Sequence, residues 1–151
     1  MNDEKSTKNE KVSKVLYPDL SYNIVGCAFK VHKLYGTGHK ESLYQEALAN
    51  EMSISGISYK REPIISIINP ITKEKLRSNY RPDFLIEDKI IVEIKAQPKL
   101  AQFFYDQIHD YLHNSEYELG YLINFAEKKI IPHRVIYTND KKSVLVRRDG
   151  T

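Results

Sequence analysis

Asp83, Glu93 and Lys95 fall within one short stretch, residues 80–95, which reads YRPDFLIEDKIIVEIK. Phe84, Leu85 and Ile86 lead into a polar Glu87-Asp88-Lys89, and Ile90, Ile91, Val92 and Ile94 lead out of it. β-Branched and aromatic runs on either side of a short polar loop predict a β-hairpin. If Ile86 pairs with Ile90, then Phe84 pairs with Val92 and Asp83 falls opposite Glu93. Directly opposed residues hold their β-carbons about 4.5–5.5 Å apart. Lys95 shares the face of Glu93, because side chains alternate along a strand. The pattern therefore gathers two carboxylates and an ammonium beside otherwise apolar strands. Facing carboxylates destabilise a sheet unless something compensates them. Lys95 supplies part of that compensation. A hard divalent cation would supply more, since magnesium binds through carboxylates together with substrate phosphates. The plainer alternative is a solvated salt-bridge cluster, because a Glu-x-Lys tripeptide is common by chance.

Other chemistry-bearing residues lie on predicted helices. Glu41 stands three residues before Tyr44 and seven before Leu48, so it shares part of an apolar stripe. A carboxylate turned toward a core is costly unless paired or metal-bound. The alternative is a first-turn glutamate favoured by the helix dipole. Gln107 sits inside a later stripe, between Phe103 and Tyr111. An amide on a buried face needs hydrogen-bond partners. Gln107 and Tyr111 are one turn apart and could address one polar group together. A single satisfied core glutamine is the alternative.

These residues need a scaffold, and the chain is long enough to provide one. Its 151 residues, 41% hydrophobic and 28% charged, fit one globular domain. The net charge of +3 permits an anionic partner without demanding one. A single cysteine, Cys27, excludes an internal disulfide and a cysteine-rich zinc site. No apolar run reaches the roughly 18 residues of a membrane span, and the N-terminus lacks a signal-peptide core, so the expected location is cytoplasmic with no membrane partner. Residues 1–16 are polar and lysine-rich and read as a disordered tail. A single domain is expected over 17–147, followed by a short tail over 148–151.

Pro18 and Asp19 open a first helix, with Asp19 or Ser21 as N-cap and Gly36 as its stop. Ile24, Ala28, Val31 and Tyr35 form its core stripe, with Cys27 beside it and Lys30, His32 and Lys33 facing solvent. A second helix, capped by Thr37, runs from about Gly38 to Ser55, and Gly56 ends it. Ile57–Asn69 reads as one strand and Thr72–Tyr80 as another, with Lys73, Lys75 and Arg77 making a basic edge. The central hairpin follows. Pro98 opens a third helix with the stripe Leu100, Phe103, Phe104, Ile108, Tyr111 and Leu112. Residues 117–125 and 130–137 read as strands, Asn139-Asp140 as a turn, and Ser143–Val146 as a short last strand. The order α-α-β-β-β-β-α-β-β predicts an α+β, or mixed α/β, domain with a central mixed sheet flanked by helices.

Gly38, Glu41 and Tyr44 spell GxxExxY, and the chain resembles the GxxExxY proteins. The resemblance continues through Tyr80-Arg81-Pro82-Asp83, Glu93-Ile94-Lys95-Ala96, Gln107 with Tyr111-Leu112, and Leu122-Ile123-Asn124-Phe125. It spans residues 20 to 137. The GxxExxY proteins look like members of the PD-(D/E)xK nuclease superfamily, which implies a restriction-endonuclease-like core. The resemblance implies that Asp83 and Glu93 bind Mg2+ or Mn2+, with the Ile94 backbone carbonyl completing the site. It gives Lys95 the role of orienting the attacking water or stabilising charge on the phosphate. Glu41 would be an additional acid, reaching the metal directly or through water. Gln107 and Tyr111 resemble the QxxxY element of the RecB-like exonuclease branch, which lies beside the site. One position departs: many family members carry a histidine where this chain has Phe104, which would weaken this copy if that histidine takes part in chemistry.

The expected activity is Mg2+-dependent hydrolysis of DNA phosphodiester bonds by metal-activated water. One alternative is a nucleic-acid-binding or accessory module that keeps the fold but turns over poorly. Another is a small interaction protein whose charged cluster is structural. Homodimerisation is left open, since small nucleases often need a second subunit to cut both strands.

Overall fold

The computed structural model describes residues 16–142. Two helices come first, α1 (Pro18–Tyr35) and α2 (Glu41–Ile54). Five strands follow: β1 (Tyr59–Arg61), β2 (Ile65–Ile68), β3 (Lys75–Tyr80), β4 (Phe84–Ile86) and β5 (Ile90–Lys95). The chain then forms α3 (Gln102–His113), β6 (Leu119–Asn124) and β7 (His133–Ile136). The main sheet has the order β1-β4-β5-β6-β7, with β5 and β6 parallel and the other neighbours antiparallel. A separate two-stranded ribbon pairs β2 with β3. This is the mixed sheet with flanking helices that the element order predicts.

The sheet is buried on both faces, which is why β5 and β6 read as near-continuous apolar runs rather than alternating ones. Ile24, Ala28 and Val31 of α1 and Tyr44, Leu48 and Met52 of α2 pack with Phe84, Ile86, Val92, Ile94 and Ile123 in one cluster. On the opposite parity, Leu85 and Ile91 join Ile65, Tyr80, Ile108 and Leu112 in a second. Each fully buried side chain of this size contributes about 1.5–3 kcal/mol relative to exposure. Gly120 of β6 leaves room for Ile108: a β-carbon there would lie 2.7 Å from Ile108 Cδ1 and would have to displace it.

The hairpin takes the expected register, with Ile86 opposite Ile90 and Phe84 opposite Val92. Glu87 and Asp88 both have positive φ, 55° and 54°, and the Lys89 N–H donates to the Ile86 carbonyl at 2.9 Å. Those are the features of a type I′ turn, whose twist matches that of the strands it joins.

Several boundaries differ from expectation. Ile57–Asn69 is two strands, because Glu62 adopts φ 47° and Pro63 follows, sending β1 to the main sheet and β2 to the ribbon. The return strand begins at Lys75, not Thr72, after a turn in which the Asn69 side chain accepts from the Ile71 and Thr72 amides. Helix α3 starts at Gln102 rather than Pro98, with Ala101 at its N-cap. Tyr17, with left-handed backbone, precedes α1 in place of the expected side-chain cap, and Lys40 takes the N-cap of α2 instead of Thr37. Tyr35 is exposed, and so is Phe103. His32 is not simply solvated: its Nε2 lies 2.7 Å from the Glu127 carbonyl. Lys30 reaches buried Glu51 at 3.3 Å. Asn139–Lys142 form a helical turn. Of the expected N-terminal tail only Leu16 is described, and it packs against the core. The expected Ser143–Val146 strand and C-terminal tail lie outside the described residues.

Candidate functional site

Two strands and one helix bring the acidic and basic side chains together. Asp83 immediately precedes β4, and Glu93 and Lys95 lie on β5 with the parity of Ile91. The Asp83 N–H donates to Glu93 Oε1 at 3.1 Å, and the Ile94 N–H donates to Asp83 Oδ2 at 2.7 Å. The two carboxylates thus lock the strands together through each other's backbone. Glu41 is the first residue of α2, where a carboxylate meets the positive end of the helix dipole. Its Oε1 lies 3.8 Å from Lys95 Nζ. Lys95 Nζ also sits over the Phe104 ring of α3, 4.4 Å from the centroid, a cation–π contact.

The turn that launches α2 is fixed by Tyr44. Its hydroxyl donates to the Gly36 carbonyl at 2.6 Å and accepts from the His39 N–H at 3.4 Å. Its ring stacks on Phe125 with centroids 4.6 Å apart. Gly38, with φ 92°, takes a backbone shape that a side chain would strain. Gly38 and Tyr44 thus shape and anchor the turn from which Glu41 projects.

The electrostatics are those of crowded, partly buried acids. Burial, and then the neighbouring Asp83 charge, push the Glu93 carboxyl up to about 7. Burial also raises Asp83, opposed by the hydrogen bonds from Ile94 and Gln45 and by the Lys95 charge. Glu41 is raised by burial, opposed by Lys95 and reinforced by Asp83. All three carboxyls therefore sit above their ordinary range, with burial the first cause of each.

Comparison with known proteins bears on this geometry. A family model described as the PD-(D/E)XK nuclease superfamily matches residues 18–135. The chain belongs to that superfamily. No curated protein matches. A solved structure described as "Crystal structure of SSO0001" is similar at 16% identity and a TM-score of 0.42, covering 95% of this chain and 79% of the other.

In this PD-(D/E)XK chain the structure brings Asp83, Glu93, Lys95 and Glu41 into one cluster. Ile94 lies between Glu93 and Lys95 and is tied to Asp83 through its N–H. Gln107 of α3 is half-buried, and its amide makes no hydrogen bond among the described residues. Tyr111 does not share a polar group with it. Its ring stacks instead on Tyr80, centroids 3.3 Å apart and planes 6° from parallel.

Two further residues hold the acids and were given no role from the sequence. The Tyr80 hydroxyl donates to Glu93 Oε1 at 2.8 Å. The Gln45 amide donates to Asp83 Oδ1 at 2.9 Å, and its own oxygen accepts from Arg61 Nη2 at 2.8 Å. Gln45 lies one helical turn after Glu41, so its face was readable. Tyr80 arrives on the ribbon strand β3, which no local pattern connects to β5.

Among the described residues, no group of three or more His, Cys, Asp or Glu side chains is arranged to hold a metal ion. The donor chemistry nonetheless fits a hard divalent cation. Two adjacent carboxylates supply oxygen ligands. Glu93 Oε2 accepts no hydrogen bond among the described residues, while Oε1 accepts two. Burial and then the Asp83 charge disfavour the ionised Glu93 carboxyl, and a bound cation would favour it.

Proposed function

We propose that this chain is a divalent-metal-dependent nuclease that hydrolyses DNA phosphodiester bonds. The observation that carries the reading is the joining of Asp83 to Glu93 across β4 and β5, with Lys95 on the same strand and Glu41 against it. Mg2+ or Mn2+ held by Asp83 and Glu93, with the Ile94 carbonyl and Glu41 joining directly or through water, would supply Lewis acidity and a nucleophile near neutral pH. Lys95 keeps a fixed positive charge beside the place where the phosphate gains negative charge. Glu41 and the Phe104 ring hold that ammonium in position from two sides. Gln107 and Tyr111 would act from α3, where Tyr111 stacks on the Tyr80 ring that reaches Glu93. The finer kinship, to the GxxExxY proteins, rests on Gly38, Glu41 and Tyr44.

The surface supports an anionic substrate. Lys75 and Arg77 on β3 and Arg81 just beyond it are exposed, and none has an acidic partner among the described residues. They lead along one strand toward Tyr80 and the acids. Phosphate contacts of this kind position a duplex without reading its sequence.

The test is cleavage of labelled single-stranded, duplex and branched DNA with magnesium, manganese or chelator. Metal-dependent cutting that leaves a 5′-phosphate, and that is lost in Asp83→Ala and Lys95→Ala while both variants stay folded, is expected. Cutting retained by both variants would sink the assignment. One observation favours a second reading, a binding module that turns over poorly: Phe104 puts an aromatic ring without proton-transfer capacity beside Lys95. Salt-sensitive binding with no cutting on any substrate would select it.

A further inference from the structure

We infer that Tyr80 is the positioning residue for the metal ligand Glu93, braced by Tyr111 through ring stacking; this rests on the nuclease reading above. Glu93 sits on β5 with one carboxylate oxygen fully engaged. Oε1 accepts from the Tyr80 hydroxyl at 2.8 Å and from the Asp83 N–H at 3.1 Å. Those two donors fix the plane of the carboxylate and leave Oε2 as the oxygen without a hydrogen bond. A ligating carboxylate held through its other oxygen is oriented before the ion arrives, and such outer partners tune metal affinity.

The hydroxyl is well placed to remain a donor. Tyr80 is 7% exposed. A tyrosine hydroxyl is protonated, and so a donor, at neutral pH. Its aim depends on the ring, and the ring is sandwiched rather than free. Tyr111 of α3 lies flat against it, planes 6° apart. Tyr80 also packs among Ile65, Leu85, Ile91, Ile108 and Leu112. Tyr111 itself donates no hydrogen bond among the described residues. Its contribution here is therefore its ring face. Asp83 has a parallel arrangement, with Gln45 on Oδ1 and Arg61 behind Gln45. Each acid is held by one dedicated side chain, and that side chain is held by another.

The experiment measures Mn2+ binding directly, by the loss of the free-ion EPR signal, on the full chain without nucleic acid. Thermal melting in chelator serves as the fold control. Tyr80→Phe keeps the ring and its stack and removes only the hydroxyl. Its Mn2+ dissociation constant should rise about ten- to a hundredfold, the usual effect of losing such a partner, with the melting temperature in chelator near wild type. The Mn2+ concentration for half-maximal cleavage should rise by the same factor. Tyr111→Ala should weaken Mn2+ binding in the same direction and by more than Tyr111→Phe, because only the alanine removes the ring. Wild-type affinity in Tyr80→Phe, beside a wild type that binds and cuts, would overturn this inference and leave the nuclease reading standing. Equal effects of Tyr111→Phe and Tyr111→Ala would overturn the brace. A wild-type chain that neither binds Mn2+ nor cuts would overturn the inference together with the reading it rests on.

Discussion

Glu93→Gln should make the metal-free protein more stable, and the gain should grow with pH. Glutamine keeps the shape of the side chain and an oxygen for the Tyr80 and Asp83 donors, and it carries no charge. The wild-type carboxyl is raised from 4.5 to about 7, first by burial and then by the Asp83 charge. Between those values the folded state binds more protons than the unfolded state, so wild-type stability falls as pH rises through that window. The loss is complete once pH exceeds about 7. A displacement of that size corresponds to about 3 kcal/mol. The stability advantage of Glu93→Gln should therefore be small near about pH 5 and approach about 3 kcal/mol near about pH 8. Asp83 and Glu41 are also raised, and burial, which the substitution leaves in place, is the first cause of each. Urea denaturation in chelator, followed by far-UV circular dichroism across that pH range, measures the gap. Manganese at a hundred times its dissociation constant should stabilise only the wild type, by about 2.7 kcal/mol. A gap that stays flat from pH 5 to pH 8 would refute the claim that Glu93 is held against its own charge.

Further outcomes follow from other parts of the molecule. Lys75→Ala and Arg77→Ala should each lower the slope of log affinity against log salt by about 1, uniformly across DNA sequences, whereas Lys33→Ala on α1 should leave it alone; fluorescence anisotropy over a salt series measures this. Gly120→Ala should cost about 1–3 kcal/mol, because the new β-carbon meets Ile108 Cδ1 at 2.7 Å, and adding Ile108→Val, which removes that atom, should recover part of the loss in thermal or urea melts.

The hairpin and its two acids were legible because the signal was local. β-Branched runs and a short polar loop set the Ile86–Ile90 register, and the register alone put Asp83 opposite Glu93. Glu41 was legible as a helix-start carboxylate, though not its pairing with Lys95, which depends on how α2 lies across the sheet. Ile57–Asn69 misled because apolar periodicity does not say which sheet a strand joins; the break came from Glu62 and Pro63. Pro98 misled because proline tolerates a helix start without requiring one, and the chain winds on to Gln102 first. Tyr80 was invisible as a partner of Glu93 because its approach is a tertiary matter, a ribbon strand laid against α3 and β5.

The place of β5 in the sheet has a consequence for how the molecule breathes. It is flanked by β4 on one side and β6 on the other, with β1 and β7 at the edges. Edge strands and ribbons open to solvent by local fluctuation, whereas a doubly flanked strand yields its amide protons only when much of the sheet opens with it. Ile90–Val92 are the doubly flanked part, and Glu93 and Lys95 continue that strand paired with Leu122 and Asn124 of β6. The burial that disfavours a charged Glu93 is therefore built into the sheet itself and is not shed by the opening of an edge strand.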